Sequence, residues 1–592
     1  MAGRLAHFGF NAVRLHHMDN QKFPNGIFAD DKLETLSAEA LDRLDYLVAA
    51  LKKQGIYSNI NLHVSRSYAK THKWPGAEKL PETYDKLVDL FHPELIAAEK
   101  RYARDLLTHV NTYTGKAYAS EPAVCMVEIN NENTLFLWSG EEALANLPEP
   151  YAGTLKGLWN QWLVRKYGGK ERLAAAWNVG AERLGTNLVR DGEMATVGRA
   201  GSAYVVEQHD GAKMTVTPGS SDTLARIDVT KVDRTSWHLQ LSQGGLKVKK
   251  GQFYTVSFRA KTEGPKQVTV SVGQAHEPWQ NLGLSATVRL GAEEREFRYG
   301  FVAGADDDNA RVSFAVGWQA GRIELGHLAL QTGGQVGFDA TTEDAAAGTV
   351  EAYRPGGSWT VARRSDWYDF LQQTDERYFV DFKDYLHDEL KVAAPVTGTI
   401  GLGPLGTLTQ SKMDFVDAHA YWDHPQFPGR AWSASDWRIR NLPMVDNPAG
   451  SPLWGLAATH VAGKPFTVTE YNHSAPNEWQ AECVPLIAAY AALQDWDGVY
   501  LFAYSHADQY KKDHAGSFFD IEGNWTKMAA APLAARIFVG EGLEPLAGEQ
   551  RYWLNRSAIL PQAGASYHEI WKYASRRGSS GGMRCRGGWW RR

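Results

Sequence analysis

Apolar runs that end in polar residues alternate with amphipathic stripes over the first 185 residues. A stripe of helical spacing from Leu41 to Leu51 ends at Gly55, a residue that commonly stops a helix. The segment 57–64 then has the pattern of a strand, and 123–130 is another apolar run. Serial strand–helix units of this kind predict a parallel sheet with helices packed on it.

The pattern changes near Thr186. From there to about Thr332, apolar and polar residues alternate with a period of two, as in 253–261 and 311–316. Roughly ten short strands separated by Gly, Asp and Asn turns predict an antiparallel β-sandwich. The strand–helix pattern resumes with a helical stripe that begins at Trp367. The sandwich is therefore inserted into an α/β domain.

These changes of pattern divide the chain. We expect a first α/β section (1–185), the sandwich (186–335), a linker (336–362), a second α/β section (363–545) and a C-terminal extension (546–592). The predicted linker is rich in Gly, Ala and Thr. From Arg576 the tail is rich in Arg, Gly and Ser, a composition that does not build a core, so we expect it to be disordered.

Bulk composition narrows the function classes. The net charge of −5 gives no reason to expect a nucleic acid or an anionic membrane as a partner. The sequence contains no run of 18 apolar residues, the length that would indicate a membrane-spanning helix. The three cysteines, Cys125, Cys483 and Cys585, are widely separated and predict no disulfide framework. The 21 tryptophans and 25 tyrosines supply aromatic faces on which sugar rings can stack.

Two glutamates follow apolar runs and carry the candidate chemistry. Glu132 lies in a polar cluster directly after the run 123–130, and Glu470 ends the run 464–470. The carboxyl ends of barrel strands converge on one face, so residues distant in sequence meet there. Retaining glycoside hydrolysis uses two such carboxyl groups, here Glu132 as general acid/base and Glu470 as nucleophile. We expect burial and the charge of Glu470 to raise the pKa of Glu132.

Short motifs around these glutamates resemble those of glycoside hydrolase clan A, most closely family 5, the cellulase and mannanase family. The segment 128–132 (Glu-Ile-Asn-Asn-Glu) is similar to the strand-four pattern, although Asn133 stands where the family has proline. Thr469–Tyr471 resembles the strand-seven nucleophile segment, and Asp417–Trp422 resembles the strand-six His-x-Tyr segment. The segments 11–16 and 59–63 fit strands two and three.

The resemblance implies a (β/α)8 TIM barrel with an inserted antiparallel sandwich. Seven strand candidates are present, near 11–17, 57–64, 123–130, 394–400, 415–422, 466–472 and 498–505. None matches the first barrel strand, so we expect the gap to lie between strands two and eight of a chain shortened at its amino end. The family resemblance implies a secreted or periplasmic protein; no signal peptide is visible at Met1.

The resemblance also implies roles for the residues around the glutamates. Arg14, with Tyr421 or Tyr471, would keep Glu470 ionised, and Asn131 would donate to the sugar 2-hydroxyl. The expected substrate-binding residues are Arg14, His63, Asn131, His419, Tyr421, Trp422, Phe502 and Tyr504. Strand eight lacks the family's tryptophan, so Phe502 or Tyr504 would form the floor. Trp138 is a further candidate platform.

The sandwich segment 251–261 resembles jelly-roll carbohydrate-binding modules. Trp279 and Trp318 are its candidate sugar-stacking residues, and a core or rim position is the alternative for each. The acidic run 306–309 fits either a solvated turn or a calcium ligand set.

We expect a retaining β-glycoside hydrolase without cofactor or metal, whose partner is a polysaccharide or oligosaccharide. Cellulose, mixed-linkage glucan, mannan and xylan all fit. Two alternatives stay open. The segment 162–177 resembles β-galactosidase-like exo-enzymes of clan A. The other alternative is a non-catalytic carbohydrate-binding protein.

Overall fold

The computed structural model describes residues 1–66, 75–80, 85–137, 140–354, 357–428, 430, 432–433, 435–506, 516–540, 542–547 and 554–565. The chain forms two compact units. One consists of residues 1–157 and 368–592, and we call it the α/β unit. The other consists of residues 158–367, and we call it the sandwich unit.

The strands are numbered in chain order. The first five are β1 (Ala12–Leu15), β2 (Tyr57–His63), β3 (Val110–Asn111), β4 (Lys116–Ala117) and β5 (Val124–Asn130). The sandwich unit contains β6 (Val205–Gln208), β7 (Lys213–Thr217), β8 (Ala225–Lys231), β9 (Leu239–Val248), β10 (Phe253–Thr262), β11 (Lys266–Gln274), β12 (Asn281–Leu290), β13 (Arg295–Val302), β14 (Asp307–Ala315) and β15 (Gly321–Thr332). The last four are β16 (Val396–Thr397), β17 (Val416–Trp422), β18 (Phe466–His473) and β19 (Gly498–Leu501).

The helices lie between these strands. They are α1 (Ala2–His7), α2 (Ala38–Lys53), α3 (Asp85–Val88), α4 (Pro93–Leu107), α5 (Gly140–Ala145), α6 (Tyr151–Tyr167), α7 (Lys170–Trp177), α8 (Val361–Asp384), α9 (Gly403–Gln410), α10 (Leu453–Thr459), α11 (Cys483–Gln494), α12 (Trp525–Phe538) and α13 (Arg556–Ala565). In the part of the chain that the structure describes, no helix is both long and apolar enough to cross a membrane.

The main strands of the α/β unit pair in parallel and in chain order. One sheet has the order β1-β2-β5-β16, and a second has the order β17-β18-β19. A parallel bridge between Ile400 and Asp417 joins the end of the first sheet to the start of the second. The seven strands predicted from the sequence are therefore present as a parallel arrangement. Their carboxyl ends all point to one side, which brings the ends of β5, β17 and β18 together.

Helix α2 illustrates how the sequence builds these units. The Ser37 side chain accepts a hydrogen bond of 3.3 Å from the amide of Ala40 and caps the helix. Leu44, Val48 and Leu51 are buried on one face, as the apolar stripe predicts. The helix ends at the predicted Gly55, whose φ of +73° lies in the left-handed region.

An apolar cavity of about 700 Å³ lies at the amino ends of the parallel strands. Its lining includes Ala12 of β1, Tyr57 of β2, Met126 of β5 and Gly498 of β19. No strand of the described residues pairs with β1 on the side away from β2, and residues 2–7 are helical. This cavity lies at the opposite ends of the strands from the candidate catalytic residues.

The sandwich unit confirms the predicted antiparallel sandwich. Its ten strands form two five-stranded antiparallel sheets, with the orders β13-β10-β15-β8-β7 and β12-β11-β14-β9-β6. The period-two pattern places alternate side chains in the core, such as Val268, Val270 and Val272 of β11. The intervening residues of β11 point away from the core.

The sandwich unit is larger than the pattern change predicts. It begins at Leu158, within α6, instead of near Thr186. The predicted linker 336–362 is packed, since Val350 and Tyr353 are buried. Arg363 stacks on Trp359, with its guanidinium carbon 4.0 Å from the ring centre. A stretch rich in small residues was interpreted as a linker because its few large side chains are widely spaced. The predicted disordered tail from Arg576 lies outside the described residues.

Candidate active site

Glu132 lies two residues beyond the carboxyl end of β5. Its φ of +58° is in the left-handed region, which non-glycine residues seldom adopt and which is often found at functional sites. A carboxylate oxygen of Glu132 lies 2.9 Å from Nδ1 of His419, a residue of β17. The turn after β5 therefore directs the Glu132 side chain toward the neighbouring strands.

Glu470 is held by an irregularity in β18. Ala418 pairs with Val468, but His419 pairs with Glu470, so Thr469 is an extra residue in β18. Such a bulge re-aims the next side chain, and bulges are common beside active sites. Asp417 stabilises the bulge, because its carboxylate accepts hydrogen bonds from the amide of Thr469 (3.1 Å) and from its hydroxyl (2.5 Å). Glu470 is buried and points into the same site as Glu132.

The two glutamates face each other closely. One carboxylate oxygen of Glu132, one of Glu470 and a ring nitrogen of His419 all lie within 4.8 Å of one another. The sequence predicts a separation of roughly 5 Å for a retaining pair, against roughly 8 Å for an inverting one. A separation of no more than 4.8 Å between these two oxygens leaves little room for a water molecule to attack directly from between the carboxylates.

Arg14 of β1 joins three side chains of the site. Its Nη1 donates to Glu470 over 2.7 Å, and its Nη2 donates to Glu128 over 2.6 Å and to Oδ1 of Asn131 over 2.8 Å. Burial alone would lower the pKa of Arg14, but the charges of Glu128 and Glu470 raise it above its ordinary value. Arg14 therefore places a permanent positive charge against Glu470. Because Arg14 binds Oδ1 of Asn131, the amide nitrogen of Asn131 faces away from Arg14.

His419 carries the proton of the site. Burial would lower its pKa, but the charge of Glu470, the hydrogen bond with Asp417 and the contact with Glu132 together raise it to about 10. The Nε2 atom lies 2.9 Å from the hydroxyl oxygen of Thr469, whose own proton goes to Asp417. His419 is therefore a cation that donates from Nε2 to Thr469 and from Nδ1 to Glu132.

This cation reverses the expectation for Glu132. The sequence predicts a raised pKa, from burial and the charge of Glu470. Burial does raise it, but the hydrogen bond and the charge of His419, with the charges of Lys86 and Arg14, lower the pKa to about 2. In the free protein the proton therefore lies on His419, and Glu132 is ionised. The prediction failed because it omitted the charge on the histidine beside Glu132.

Tyr421 and Phe502 lie where the sequence predicts. The hydroxyl of Tyr421 donates to Glu470 over 2.5 Å, so Tyr421, and not Tyr471, holds the nucleophile candidate. The Phe502 ring is edge-on to the Tyr421 ring at 6.1 Å and to the His16 ring at 5.7 Å. The Nε2 atom of His16 lies 3.5 Å from Glu470. These rings border the carboxylate pair on one side.

Other predicted substrate-binding residues lie elsewhere. His63 is buried, with its ring against Tyr102 (5.5 Å) and Phe382 (6.0 Å). Trp422 is 2% exposed, and its ring nitrogen donates to the carbonyl of Leu442. The alternation of side chains along β17 turns Trp422 to the face opposite Tyr421. Alternation alone would place His63 with Asn59 and Asn61 of β2, but at the end of this strand its ring packs on Tyr102 of α4 instead.

Two further residues that the sequence predicts to be in the site pack against residues outside it. Tyr504 packs in a small cluster with Leu5, Leu51 and Ile56, and the hydroxyl of Tyr471 lies 3.0 Å from Nε2 of His473. Trp138 lies outside the described residues. The pattern of one segment could not decide which of several adjacent aromatic residues faces the site.

Glu128 is a third carboxylate that the motif contained but that was not assigned to the site. It accepts hydrogen bonds from Arg14, from Asn59 over 2.5 Å and from Asn61. A signal was present, since Glu128 and Asn130 alternate with buried apolar residues in β5, as Asn59 and Asn61 do in β2. Polar residues at every second position of an apolar strand indicate a polar interior.

Among the described residues, Glu132, His419 and Glu470 are the group that could hold a metal ion. A metal would have to displace the proton of His419 and compete with the guanidinium of Arg14 for Glu470. The ligand atoms of this group are already paired with one another and with Arg14. In the acidic run of the sandwich, Asp306 accepts from the amide of Lys250, and Asp307 lies 3.1 Å from the His276 ring.

The sandwich presents a polar face with exposed tryptophans at its two ends. Residues of β11 and β14 that point away from the core include Thr269, Ser271 and Ser313. Trp318 is 42% exposed and donates to Thr269 at one end of this face. Trp279 is 55% exposed at the other end, beside Arg311. Both rings are thus available to a ligand and are not core residues.

Comparison with known proteins identifies part of the chain. A family model described as a carbohydrate binding domain matches residues 203–321. No curated protein matches the chain. A solved structure described as "CBM4 structure and function" is 25% identical, with a TM-score of 0.22, and the match covers 24% of this chain and 99% of that one.

Two further solved structures match similar shares of the chain. The N-terminal cellulose-binding domain of Cellulomonas fimi β-1,4-glucanase C is 19% identical, with a TM-score of 0.19, over 22% of this chain and 90% of that one. The CBM22-1 xylan-binding domain of Paenibacillus barcinonensis Xyn10C is 12% identical, with a TM-score of 0.19, over 26% and 100%. The family match covers residues 203–321, and this part of the chain is a carbohydrate-binding domain.

Proposed function

We propose that the α/β unit is a retaining β-glycoside hydrolase and that the sandwich unit holds its polymeric substrate. The observation that carries the proposal is the pair Glu132 and Glu470, with carboxylate oxygens within 4.8 Å at the carboxyl ends of parallel strands. Retaining enzymes place their two carboxyl groups roughly 5 Å apart. The carbohydrate-binding domain in the same chain adds independent support, because it would bind the same class of ligand that the α/β unit is proposed to cleave.

The strand order supports a barrel of the TIM type for the catalytic unit. Seven parallel strands follow one another in chain order, and β19 approaches β1. In such barrels the catalytic residues come from the carboxyl ends of different strands. Arg14, Glu132, Tyr421 and Glu470 fit this placement. The strand order and the proposed chemistry therefore agree on the side of the α/β unit that would hold the active site.

Glu470 would attack the anomeric carbon in the first step. Its carboxylate forms a bond to that carbon as the bond to the leaving oxygen breaks, and Glu132 delivers a proton to the leaving oxygen. Arg14 and Tyr421 donate hydrogen bonds of 2.7 and 2.5 Å to Glu470 and hold its carboxylate in position until attack. The amide of Asn131, fixed by Arg14, would donate to the sugar 2-hydroxyl.

His419 would supply the proton that Glu132 lacks in the free protein. Its Nδ1 proton already lies on the hydrogen bond to Glu132, at 2.9 Å. Substrate entry excludes water and covers the carboxylates, and transfer along this bond then makes Glu132 an acid. After the first step Glu132 is again a carboxylate and takes a proton from the water that releases the sugar. That proton returns to His419, so the cycle closes.

The expected substrates are β-linked glucans, mannans and xylans. A polymer of this kind offers repeated sugar rings both to the carboxylate pair and to the exposed rings of Trp279 and Trp318. Binding on the sandwich would raise the concentration of chain ends and linkages near the catalytic unit. Such polymers are extracellular, which agrees with the secreted or periplasmic location that the family resemblance implies.

The direct test is release of reducing sugar from cellulose, mixed-linkage glucan, mannan and xylan by the full chain. We expect activity on at least one of them and loss of that activity in Glu470→Gln and in Glu132→Gln, which conserve side-chain size. Proton NMR of the first product should show the same anomeric configuration as the substrate. Inversion would contradict the mechanism.

The same panel separates the two alternatives. A β-galactosidase-like exo-enzyme would cleave an aryl β-galactoside and leave the interior of the polymers intact. A non-catalytic binding protein would bind a polymer in a pull-down assay but release no sugar from it. Either result would replace the proposed activity.

A further inference from the structure

A strip of aromatic rings leads away from the carboxylate pair. The Tyr421 ring, whose hydroxyl binds Glu470, lies 5.5 Å from the His424 ring. The His424 ring lies 5.6 Å from the Trp432 ring. These residues belong to β17 and to the loop that follows it, on the side of the strands where Glu132 and Glu470 lie. We call Tyr421, His424 and Trp432 the aromatic strip.

Phenylalanine rings support the outer end of the strip. The Trp432 ring packs on Phe427 at 5.3 Å and lies nearly parallel to Phe518 at 6.5 Å. Phe518 also contacts Phe519, which lies 4.7 Å from the Tyr421 ring. The rings therefore form one packed group that fixes the position of Trp432 relative to the catalytic residues.

Although its ring packs on Phe427 and Phe518, Trp432 is 65% exposed. Burial of a large apolar side chain is favourable. An indole that packs on other rings on one side and faces solvent on the other can therefore gain free energy when a ligand covers it. Its φ of +59° is in the left-handed region, where a bulky side chain is strained. The loop thus holds a flat apolar surface toward solvent in an unfavourable backbone conformation.

We propose that Trp432 is a sugar-stacking subsite for the same glycan chain that is cleaved between Glu132 and Glu470. This inference rests on the proposed hydrolase function and extends it. A pyranose ring has an apolar face of C–H groups that matches an exposed indole. The Tyr421 and His424 rings (5.5 Å) and the His424 and Trp432 rings (5.6 Å) meet edge-on, and the Trp432 ring lies no further from the Tyr421 ring than these two steps together, which is within the reach of a β-linked chain of three sugars. The ligand is therefore a β-linked oligosaccharide of at least three sugars.

The subsite predicts a dependence on substrate length. A substrate with a single sugar and an aryl leaving group occupies the carboxylate pair and does not extend over two further sugar positions. A tetrasaccharide or pentasaccharide covers the aromatic strip and gains the contact with Trp432. The contribution of Trp432 should therefore appear only with the longer substrates.

The test compares kcat/KM of Trp432→Ala with that of the unaltered protein on an aryl monoglycoside and on tetra- and pentasaccharides of the cleaved glycan. We expect about a tenfold loss on the oligosaccharides, the upper range for one aromatic contact, and no loss on the monoglycoside. Trp525→Ala is the matched control, because Trp525 is 78% exposed on α12 of the same unit and does not belong to the strip. It should leave both values unchanged.

Equal losses on short and long substrates would show a structural role and overturn the subsite, as would no loss on either. If the unaltered protein cleaves no substrate, the proposed function fails, and the subsite is then tested by binding alone. Calorimetric titration of cellopentaose, mannopentaose and xylopentaose into the Glu470→Gln protein, with and without Trp432→Ala, provides that test. If Trp432→Ala leaves the affinity for each of the three sugars unchanged, the subsite is overturned independently of catalysis.

Discussion

Replacement of His419 by glutamine tests the charge assignment at the centre of the site. The side chain of His419 is only 4% exposed and donates toward Glu132, and its Nδ1 lies 3.6 Å from Glu470. Glutamine is polar and of similar length, but it cannot carry the positive charge. In His419→Gln the two glutamates therefore face each other with only Lys86 and Arg14 as neighbouring cations, and the pKa of Glu132 should rise from about 2.

The size and sign of the effect on stability follow from the pKa of His419. Its pKa rises from an ordinary value of 6.5 to about 10 in the folded protein. The stabilisation is therefore complete below pH 6.5 and is lost as the pH rises to about 10. At 1.36 kcal/mol per pKa unit, the difference amounts to about 5 kcal/mol as an upper limit. The low pKa of Glu132 describes the same ion pair and is not added to this value.

The assay is urea unfolding of the unaltered protein and of His419→Gln at several pH values between 6 and 10. Groups that do not contact His419 titrate alike in both proteins, so their effect cancels in the difference between the two free energies of unfolding. We expect the unaltered protein to be more stable by several kcal/mol at pH 6 and this advantage to disappear by about pH 10. A difference that stays constant over this range would refute the assignment of the proton to His419.

Three further predictions follow from individual contacts. Tyr421→Phe removes the hydroxyl that donates to Glu470, so kcat should fall about 10- to 100-fold while the circular dichroism spectrum is unchanged; an unchanged kcat would contradict the role. Glu128→Gln leaves the buried Arg14 with one charged partner fewer, so urea unfolding should show a loss of stability of about 3 kcal/mol, and equal stability would be the contrary result. Trp279→Ala should weaken binding to insoluble polysaccharide about three- to tenfold, with kcat on a short soluble glycoside as the unaffected control; unchanged retention would exclude Trp279 from the binding face.

The sequence was sufficient to predict the main elements and the two central side chains. Apolar runs predict parallel strands because such strands are buried on both faces, and a change to a period of two predicts the inserted sandwich. Glu132 and Glu470 could be selected because each follows an apolar run within a serial strand–helix pattern. These predictions depend on local periodicity, which a single sequence carries.

Features that depend on contacts between distant segments could not be predicted. The charge on His419 depends on Glu470 of β18 and on Glu132, which follows β5, as well as on Asp417 of its own strand. Likewise, His63 is the last residue of its strand, but its ring faces Tyr102 in the core. The sequence of one strand shows which residues alternate and does not show which face another element covers.

Identification of a covalent intermediate tests the central claim most directly. The full chain would be treated with a 2-deoxy-2-fluoro glycoside that carries a good leaving group and matches the sugar of the cleaved polymer. Such a reagent slows release of the glycosyl group more than its formation. Mass spectrometry of the intact protein and of its peptides should show one added fluoroglycosyl group on Glu470, and none in the Glu470→Gln protein. A label on another residue, or turnover of the polymer with inversion and no label, would contradict the account.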